Sequence, residues 1–306
     1  MSLSIVAAAM RHGTYSIVAH DAATGELGAA VQSHWFSVGS LCTWARPGVG
    51  AVATQSVVEP AYGPGLLDRL AAGAVPGAAL QTMLAADELA RLRQVAVVDA
   101  RGAAATHTGP DCIAHAGHVS GEGFSCQANM MAGETVPGAM AAAYDAAAGD
   151  LADRLLAALE GAEAAGGDVR GRQSAALLVV PARAEAWRWR VDLRVEDHPD
   201  PIAELDRLLA LQRAYGLAGE ADTLMGEGRA QEAGGLYRRA AELAPASDEL
   251  LFWSGLAIAH TGDLEAGAKV VAAAAGIHPG WRVLLERLSP EFAPAGAEVR
   301  RALGWA

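Results

Sequence analysis

Aromatic side chains are scarce in this sequence. Phe, Trp and Tyr together make up 5% of the chain, against 52% for all hydrophobic residues. The core must therefore be built mainly from small aliphatic side chains, and elements that meet through them pack backbone close to backbone. Cysteine is scarcer still: Cys42, Cys112 and Cys126 are the whole set. An odd number, widely spaced and without a C-x-x-C pair, excludes a disulfide framework and a cysteine-built zinc site. The three read as small buried residues of a reducing compartment, which points to the cytoplasm. Basic residues are outnumbered, with 23 Lys and Arg against 35 Asp and Glu, a formal net charge of −12. That balance argues against a nucleic-acid partner and against an anionic membrane surface, and it favours solubility. No stretch offers ~18 consecutive apolar residues, so no membrane-spanning helix is expected. The opening "MSLSIVAAAM" lacks a basic n-region, and its apolar run is too short for a secretory signal. Absent too are the G-x-S-x-G elbow, a G-x-G-x-x-G opening a helix after a strand, and the G-x-x-x-x-G-K-[ST] loop. These absences exclude an α/β-hydrolase, a dinucleotide fold and a P-loop.

What is present is a chain of 306 residues, enough for two ordinary domains or one large one. "TYSIVAHD" and "GELGAAVQSH" flank the turn "AATG", which predicts a hairpin, and "GVGAVATQS" reads as another strand. From Gly65 to Leu92 the period is helical, with a second helix starting at Val75-Pro76. "RQVAVVDA" and "AAATHTG" form a second predicted hairpin, and "GFSCQANM" a further short strand. Pro137 to Ala165 reads as two helices broken at Gly149-Asp150, with Asp150 as an N-cap. "SAALLVVPA" and "AWRWRVDLRVED" are the last strands, and Pro201 opens an amphipathic helix that closes the unit. Hairpins without crossovers, grouped with helix pairs, predict an α+β arrangement of two antiparallel sheets between helix layers, αββα.

Residues 217–288 carry no strand pattern but do carry a repeat. Pro245 and Pro279 are 34 residues apart. Leu224, Ala233, Tyr237 and Ala240 precede the first at the offsets at which Ile258, Gly267, Val271 and Ala274 precede the second. Small residues in the second helix and a closing Pro resemble tetratricopeptide repeats. Two repeats are fewer than a free array needs, so the module is expected to lean on a neighbouring element. Residues 289–306, broken by Pro290 and Pro294, read as a cap ending in a short helix.

The junction Gly13-Thr14 raises the chemical question. A hydroxyl is a weak nucleophile until a base takes its proton. An N-terminal threonine supplies its own base, because an α-amine with a reference pKa near ~8 is partly neutral at physiological pH. Thr14 is not first in the chain, so cleavage after Gly13 would have to expose it. Gly suits such a step because it tolerates strained backbone angles. Thr is also a good strand residue that Gly often precedes, so a purely structural reading stands beside the chemical one.

The segment "TYSIVAHDAATGELGAAVQSHWFSVGS" resembles the opening of the domain of unknown function 1028 family. Further matches follow in order: "PGVGAVATQS", "YGPGLLDRLAAG", "RQVAVVDARG", "HTGPDC", "GHVSGEGFSCQANMMAG", "GGDVRGRQSAALLVV" and "VDLRVEDHPDPIAEL". The resemblance covers about Thr14 to Arg213. It implies an N-terminal-nucleophile-hydrolase-like αββα fold and supplies no substrate. In many similar sequences the Thr directly follows an initiator Met or a cleavage site; here residues 1–13 precede it.

Other residues join Thr14 as candidates. Continued as a strand, "VQSHWFS" puts Gln32, His34 and Phe36 on one face and Ser33 and Trp35 on the other. Ser33 could relay the Thr14 proton; Gln32 and His34 could line a substrate site, or the whole could be a mixed edge strand. Gln127 and Asn129, in "CQANMMAG", offer amides that could donate to an oxyanion, or the Asn could merely bond its own turn. In "GGDVRGRQS", Arg170 and Arg172 could clamp a carboxylate, Asp168 could orient an arginine or bind an α-ammonium group, and Gln173 could contact substrate, although solvated loop charges read equally. In "VEDHPDP", Glu196, Asp197, His198 and Asp200 read better as helix-capping residues than as metal ligands. His107, His115 and His118 near Cys112 fit no zinc spacing.

The expectation is a leader over 1–13, the αββα domain over 14–213, repeats over 217–288 and a cap over 289–306. The expected function is hydrolysis of an amide in a small molecule or short peptide, with Thr14 as nucleophile and no metal or organic cofactor. The alternative is a non-catalytic scaffold whose helical repeats bind a protein or peptide. Edge strands and Ala-rich helices also fit a homodimer.

Overall fold

The computed structural model describes residues 11–183 and 191–305. The chain divides into two compact units, Met1–Asp206 and Arg207–Ala306.

The first unit holds two antiparallel sheets. Its strands are β1 (Arg11–His12), β2 (Thr14–His20), β3 (Leu27–Ser33), β4 (Thr43–Arg46), β5 (Gly50–Val57), β6 (Arg93–Asp99), β7 (Ala104–Thr108), β8 (Gly117–Gly121), β9 (Phe124–Asn129), β10 (Ser174–Val180) and β11 (Val191–Val195). One sheet runs β1-β5-β6-β7, with β4 also paired to β5; the other runs β11-β10-β3-β2-β9-β8. The helices are α1 (Gly39–Cys42), α2 (Tyr62–Ala71), α3 (Pro76–Ala86), α4 (Val136–Ala146) and α5 (Leu151–Ala164), followed by the start of α6 (Pro201–Gly226).

Strand alternation explains the packing. Val18, Leu27, Ala29 and Leu178 of one sheet meet Ala51, Ala53, Ala96 and Val98 of the other. So many alanines at one interface account for the shortage of aromatics: the sheets meet through methyl groups. On the outer face of β5 and β6, Val52, Val95 and Val97 pack against Leu66, Leu67 and Leu70 of α2 and Leu80 and Leu84 of α3. Helices α4 and α5 contact strands of the other sheet. Asp150 caps α5 in a capping box: Asp153 N donates to Asp150 Oδ1 at 3.1 Å, and Asp150 N to Asp153 Oδ2 at 3.2 Å. Asp150→Ala should cost about 1 kcal/mol in urea unfolding, because the Asp153 N–H in the first turn loses its acceptor.

The structure departs from the sequence reading in four places. First, the β3 strand stops at Ser33, and a turn, α1 and the short β4 occupy the stretch expected to alternate as strand. Ser174 forces that turn: its hydroxyl donates to Trp35 O and accepts from Val38 N at 3.0 Å. Second, β8 was absent from the reading. Its five residues, Gly-His-Val-Ser-Gly, carry a single apolar side chain, Val119, and are mostly exposed, so no apolar period marks it. Third, α6 continues through the expected break near 213–217 to Gly226. Fourth, of the strand expected over 186–197, only Val191–Val195 falls in the described residues as strand; residues 186–190 lie outside them, as do residues 1–10 of the leader.

The second unit is helical. It contains the rest of α6, then α7 (Ala230–Leu243), α8 (Asp248–His260), α9 (Leu264–Ile277), α10 (Gly280–Arg287) and α11 (Gly296–Ala302). α7 and α9 have 14 residues each and begin at 230 and 264, a spacing of 264 − 230 = 34. α8 and α9 pack backbone to backbone at Gly267, where a Cβ would lie 2.5 Å from Ala259 N and Gly255 O. Phe252, Leu256, Val271, Leu285 and Val299 form the core. Among the described residues no helix is long and apolar enough to cross a membrane.

Candidate functional site

The register of three adjacent strands fixes the site. Thr14 opens β2 and stands opposite Ser33 at the end of β3 and Asn129 at the end of β9. All three are fully buried. Thr14 Oγ1 donates to Ser33 Oγ at 3.1 Å, and Ser33 Oγ donates in turn to the carbonyl oxygen of Gly13. Arg170 Nη2 donates to the same oxygen at 2.7 Å. The Gly13-Thr14 peptide therefore has its oxygen held by a cation and a hydroxyl. Two such donors favour the negative charge that develops there on nucleophilic addition.

Asp168 holds Arg170 in place. Arg170 Nε and Nη2 reach its two carboxylate oxygens at 3.0 and 2.7 Å, and Arg170 N donates to it at 2.9 Å. His34 N adds a bond at 3.3 Å. The carboxylate is fully buried, so the bidentate pairing satisfies a charge that water does not reach. The loop itself is tied to the end of β9: Ala132 N donates to Gly167 O at 2.9 Å and Val169 N to Met130 O at 3.1 Å. Gly166 and Gly167, with φ of +109° and +56°, let the chain turn out of α5 into this position.

On the inner side of Thr14 lies a network of amides between the sheets. The Thr14 carbonyl accepts from Gln55 Nε2 at 3.0 Å and from Asn129 Nδ2 at 3.3 Å. Both amides also donate to Gln94 Oε1, at 2.8 and 3.0 Å. Gln94 Nε2 reaches Thr108 Oγ1, Gly117 O and Ala128 O at 3.0, 3.1 and 2.9 Å. Ser16 Oγ bonds Gln55 Oε1, and Gln127 Nε2 bonds Ser16 Oγ, each at 2.6 Å. The sequence reading names Gln127, as an amide able to donate to an oxyanion, but missed Ser16, Gln55 and Gln94. Their signal was a Gln or Ser at an inward position of an apolar strand, as in "TYSIVAH", "ATQS" and "RQVAVV".

Thr14, Ser33, Asn129, Asp168 and Arg170 thus come together. The other candidates lie elsewhere. Arg172 Nη1 donates to Asp200 at 2.9 Å and its Nε lies 3.4 Å from Glu163, while Gln173 donates to Asp197 at 3.1 Å. These bonds tie the loop to the turn before α6. The His34 side chain is exposed, and only its backbone serves the site. Gln32 pairs with Tyr15 across β2 and β3, on the face away from Thr14. The Tyr15 hydroxyl donates to Glu163; burial, then the Glu163 charge, push its pKa well above the ordinary phenol range, so it stays protonated. Gln32 is fully buried, and neither of its amide atoms has a partner among the described residues. Gln32→Leu should therefore leave stability unchanged or raise it by about 1 kcal/mol, read as a higher unfolding midpoint.

The cysteines offer no rival nucleophile. Burial pushes the Cys42 thiol up to about 12, and it also raises Cys112 and Cys126. The histidines near Cys112 point apart: His107 to Ala90 O, His118 to Thr108, His115 to Glu134. Among the described residues no group of three or more His, Cys, Asp or Glu could hold a metal ion. A cleft of about 510 Å³ is lined by Thr108, Cys112, His115 and Glu134, among others. The His115 carbonyl of its wall accepts from Met131 N at 3.3 Å, but Thr14, Ser33 and Arg170 do not line it.

The architecture is that of a mixed α+β protein with antiparallel sheets and a helical C-terminal region, its buried polar groups gathered at the start of one central strand. The chain belongs to the family of unknown function DUF1028, whose model matches residues 14–205. It is similar to a solved member, protein SPO2555 from Silicibacter pomeroyi, at 33% identity and a TM-score of 0.60, over 64% of this chain and 88% of that one. No curated protein matches it.

Proposed function

We propose that the protein is an amide hydrolase of the N-terminal-nucleophile type, matured by cleavage between Gly13 and Thr14. The layering of helices and sheets is read as αββα, and the 34-residue spacing in the second unit as tetratricopeptide-like. The observation that carries the reading is the Gly13 carbonyl, gripped by Arg170 and Ser33, with the Thr14 hydroxyl bonded to Ser33. The family match also begins at Thr14.

In maturation, Thr14 Oγ adds to the Gly13 carbonyl carbon. Its proton passes to Ser33 while the Ser33 proton passes to the carbonyl oxygen. Collapse breaks the C–N bond, returns a proton to the departing nitrogen, and leaves an ester and a free α-amine. Water then hydrolyses the ester and releases residues 1–13. In turnover the amine takes the Thr14 proton, Oγ attacks a substrate amide, and the oxyanion occupies the place of the Gly13 oxygen. There it is held by Arg170 and Ser33. Asn129 and Gln55 fix the Thr14 carbonyl and so the orientation of the nucleophile. The leaving amine departs with the proton, and water cleaves the acyl ester. These steps use no metal or cofactor.

A second reading, a non-catalytic scaffold whose helical unit binds a peptide partner, is favoured by the full burial of Thr14 in the complete chain. One experiment separates the two. Matured protein starting at Thr14 is treated with an activated acetyl ester, and the adduct is located by peptide mass spectrometry. A single acetyl group on Thr14 Oγ, absent from the full-length chain, is expected. Failure to acylate Thr14 in the matured protein supports the scaffold.

A further inference from the structure

The three residues before Thr14 are themselves the imprint of an acyl group. Resting on the hydrolase reading, we infer that the substrate is a peptide-like amide whose acyl half ends in a glycyl residue and lies as a strand along Ser56 and Val57 of β5.

Maturation forms an ester between Thr14 and the leader. It is an acyl-enzyme whose acyl group is the peptide ending at Gly13. A substrate acyl group bound to the same Thr14 oxygen, with its carbonyl on the same two donors, must place its α-carbon where Gly13 now stands. At that point there is no room for a side chain. A Cβ on Gly13 would lie 2.7 Å from Arg170 Nη2, 2.8 Å from Met130 Cβ and 2.9 Å from Asp168 Oδ2. None of the three can step aside freely. Arg170 and Asp168 hold one another through two bonds. The Met130 Cβ is fixed by a backbone in the left-handed region, with φ of 59°, bonded to Ile113 O and to Val169 N. A branched α-carbon would push the carbonyl off its donors, and the loss would fall on the transition state.

The backbone before Gly13 supplies the second half of the inference. Arg11 and His12 form β1, antiparallel to β5, with Arg11 opposite Val57 and His12 opposite Ser56. Once residues 1–13 depart, that short edge of β5 loses its neighbour. Its main-chain groups can then pair with another extended peptide, as in strand addition. Ser56 has φ of 74°, so β5 bends at this point and its pairing edge ends there, beside the glycine. A peptide backbone therefore has bonds to make upstream of the scissile carbonyl. A simple acetyl group has none.

The test uses matured protein, residues 14–306, and two matched pairs of ligands. The first pair is acetyl-Arg-His-Gly anilide and acetyl-Arg-His-Ala anilide, assayed for aniline release. The second is the two corresponding free acids, titrated by calorimetry. The glycyl anilide is expected to exceed the alanyl one by at least ~100-fold in kcat/KM, and the glycyl acid to bind at least ~10-fold more tightly. Equal turnover of the two anilides overturns the inference and leaves the hydrolase reading standing. Glycine-selective binding of the acids without turnover keeps the subsite and removes the hydrolase. Absence of both binding and turnover overturns both.

Discussion

Thr14→Ala is expected to leave residues 1–13 attached and to reduce amide turnover by at least ~10⁴-fold, the scale seen when a covalent nucleophile is lost. The reason is that one residue supplies two functions. In the proposed mechanism its hydroxyl attacks the Gly13 carbonyl in maturation, and the amine so released activates that hydroxyl in turnover. Without the hydroxyl neither function arises. The fold should survive, because the substitution removes only the bond to Ser33 Oγ and a methyl group, a loss of about 1 kcal/mol. Thr14→Ser keeps the attacking oxygen and should still mature. Intact mass and an unfolding curve on both variants check the separation. An alanine variant that still sheds its leader would show that another group cleaves the junction.

Gln94→Leu is expected to be the most destabilising single change near the site, lowering stability by ~3–5 kcal/mol. Gln94 is fully buried, and its amide joins both sheets. Leucine would strip a donor from the carbonyls of Gly117 and Ala128 and from Thr108. It would also remove the acceptor shared by Gln55 and Asn129. Those two amides hold the Thr14 carbonyl, so the damage should reach the nucleophile as well, and maturation should slow in whatever fraction still folds. Urea unfolding gives the first quantity and the rate of leader loss gives the second. The contrast is Gln32→Leu, where a buried amide without partners is removed. Both are buried glutamines on central strands, and they are expected to respond in opposite directions. A Gln94→Leu chain as stable as the parent would mean that the network holds nothing together.

Much of this architecture could be read from the residues alone, for identifiable reasons. The helix pairs announced themselves through Pro76 at the first turn of α3 and Asp150 ahead of α5, where a proline or a capping carboxylate has a local job. The hairpin of β2 and β3 was legible because its turn, built on Asp21, closes within a few residues. β8 was not, since it gains its place by pairing with β9 and buries almost nothing of its own. The continuity of α6 was hidden for a similar reason. Gly216 and Gly219 suggest a break, and neither meets a neighbouring atom that would show why the helix runs on.

The site shows the same division. Thr14, Ser33, Asp168 and Arg170 were legible because each has chemistry that a bare strand or loop does not need. Their convergence was not, since Arg170 reaches Gly13 across 157 positions of sequence. Arg172 and Gln173, from the same loop, carry the same kind of chemistry but turn toward Asp200 and Asp197. In an irregular loop no period tells which side chains face inward. The amide network was hidden by its composition, because a glutamine in a strand looks like an edge residue until a second sheet covers it.

The account rests on an amine and a hydroxyl becoming available on the same residue. The most direct measurement is the intact mass of the purified full-length chain, followed over days at neutral pH. The account predicts a species shorter by residues 1–13, beginning at Thr14 with a free amine, that accumulates at a rate independent of protein concentration. A chain that keeps its full mass throughout, with the Gly13-Thr14 bond unbroken, would contradict it.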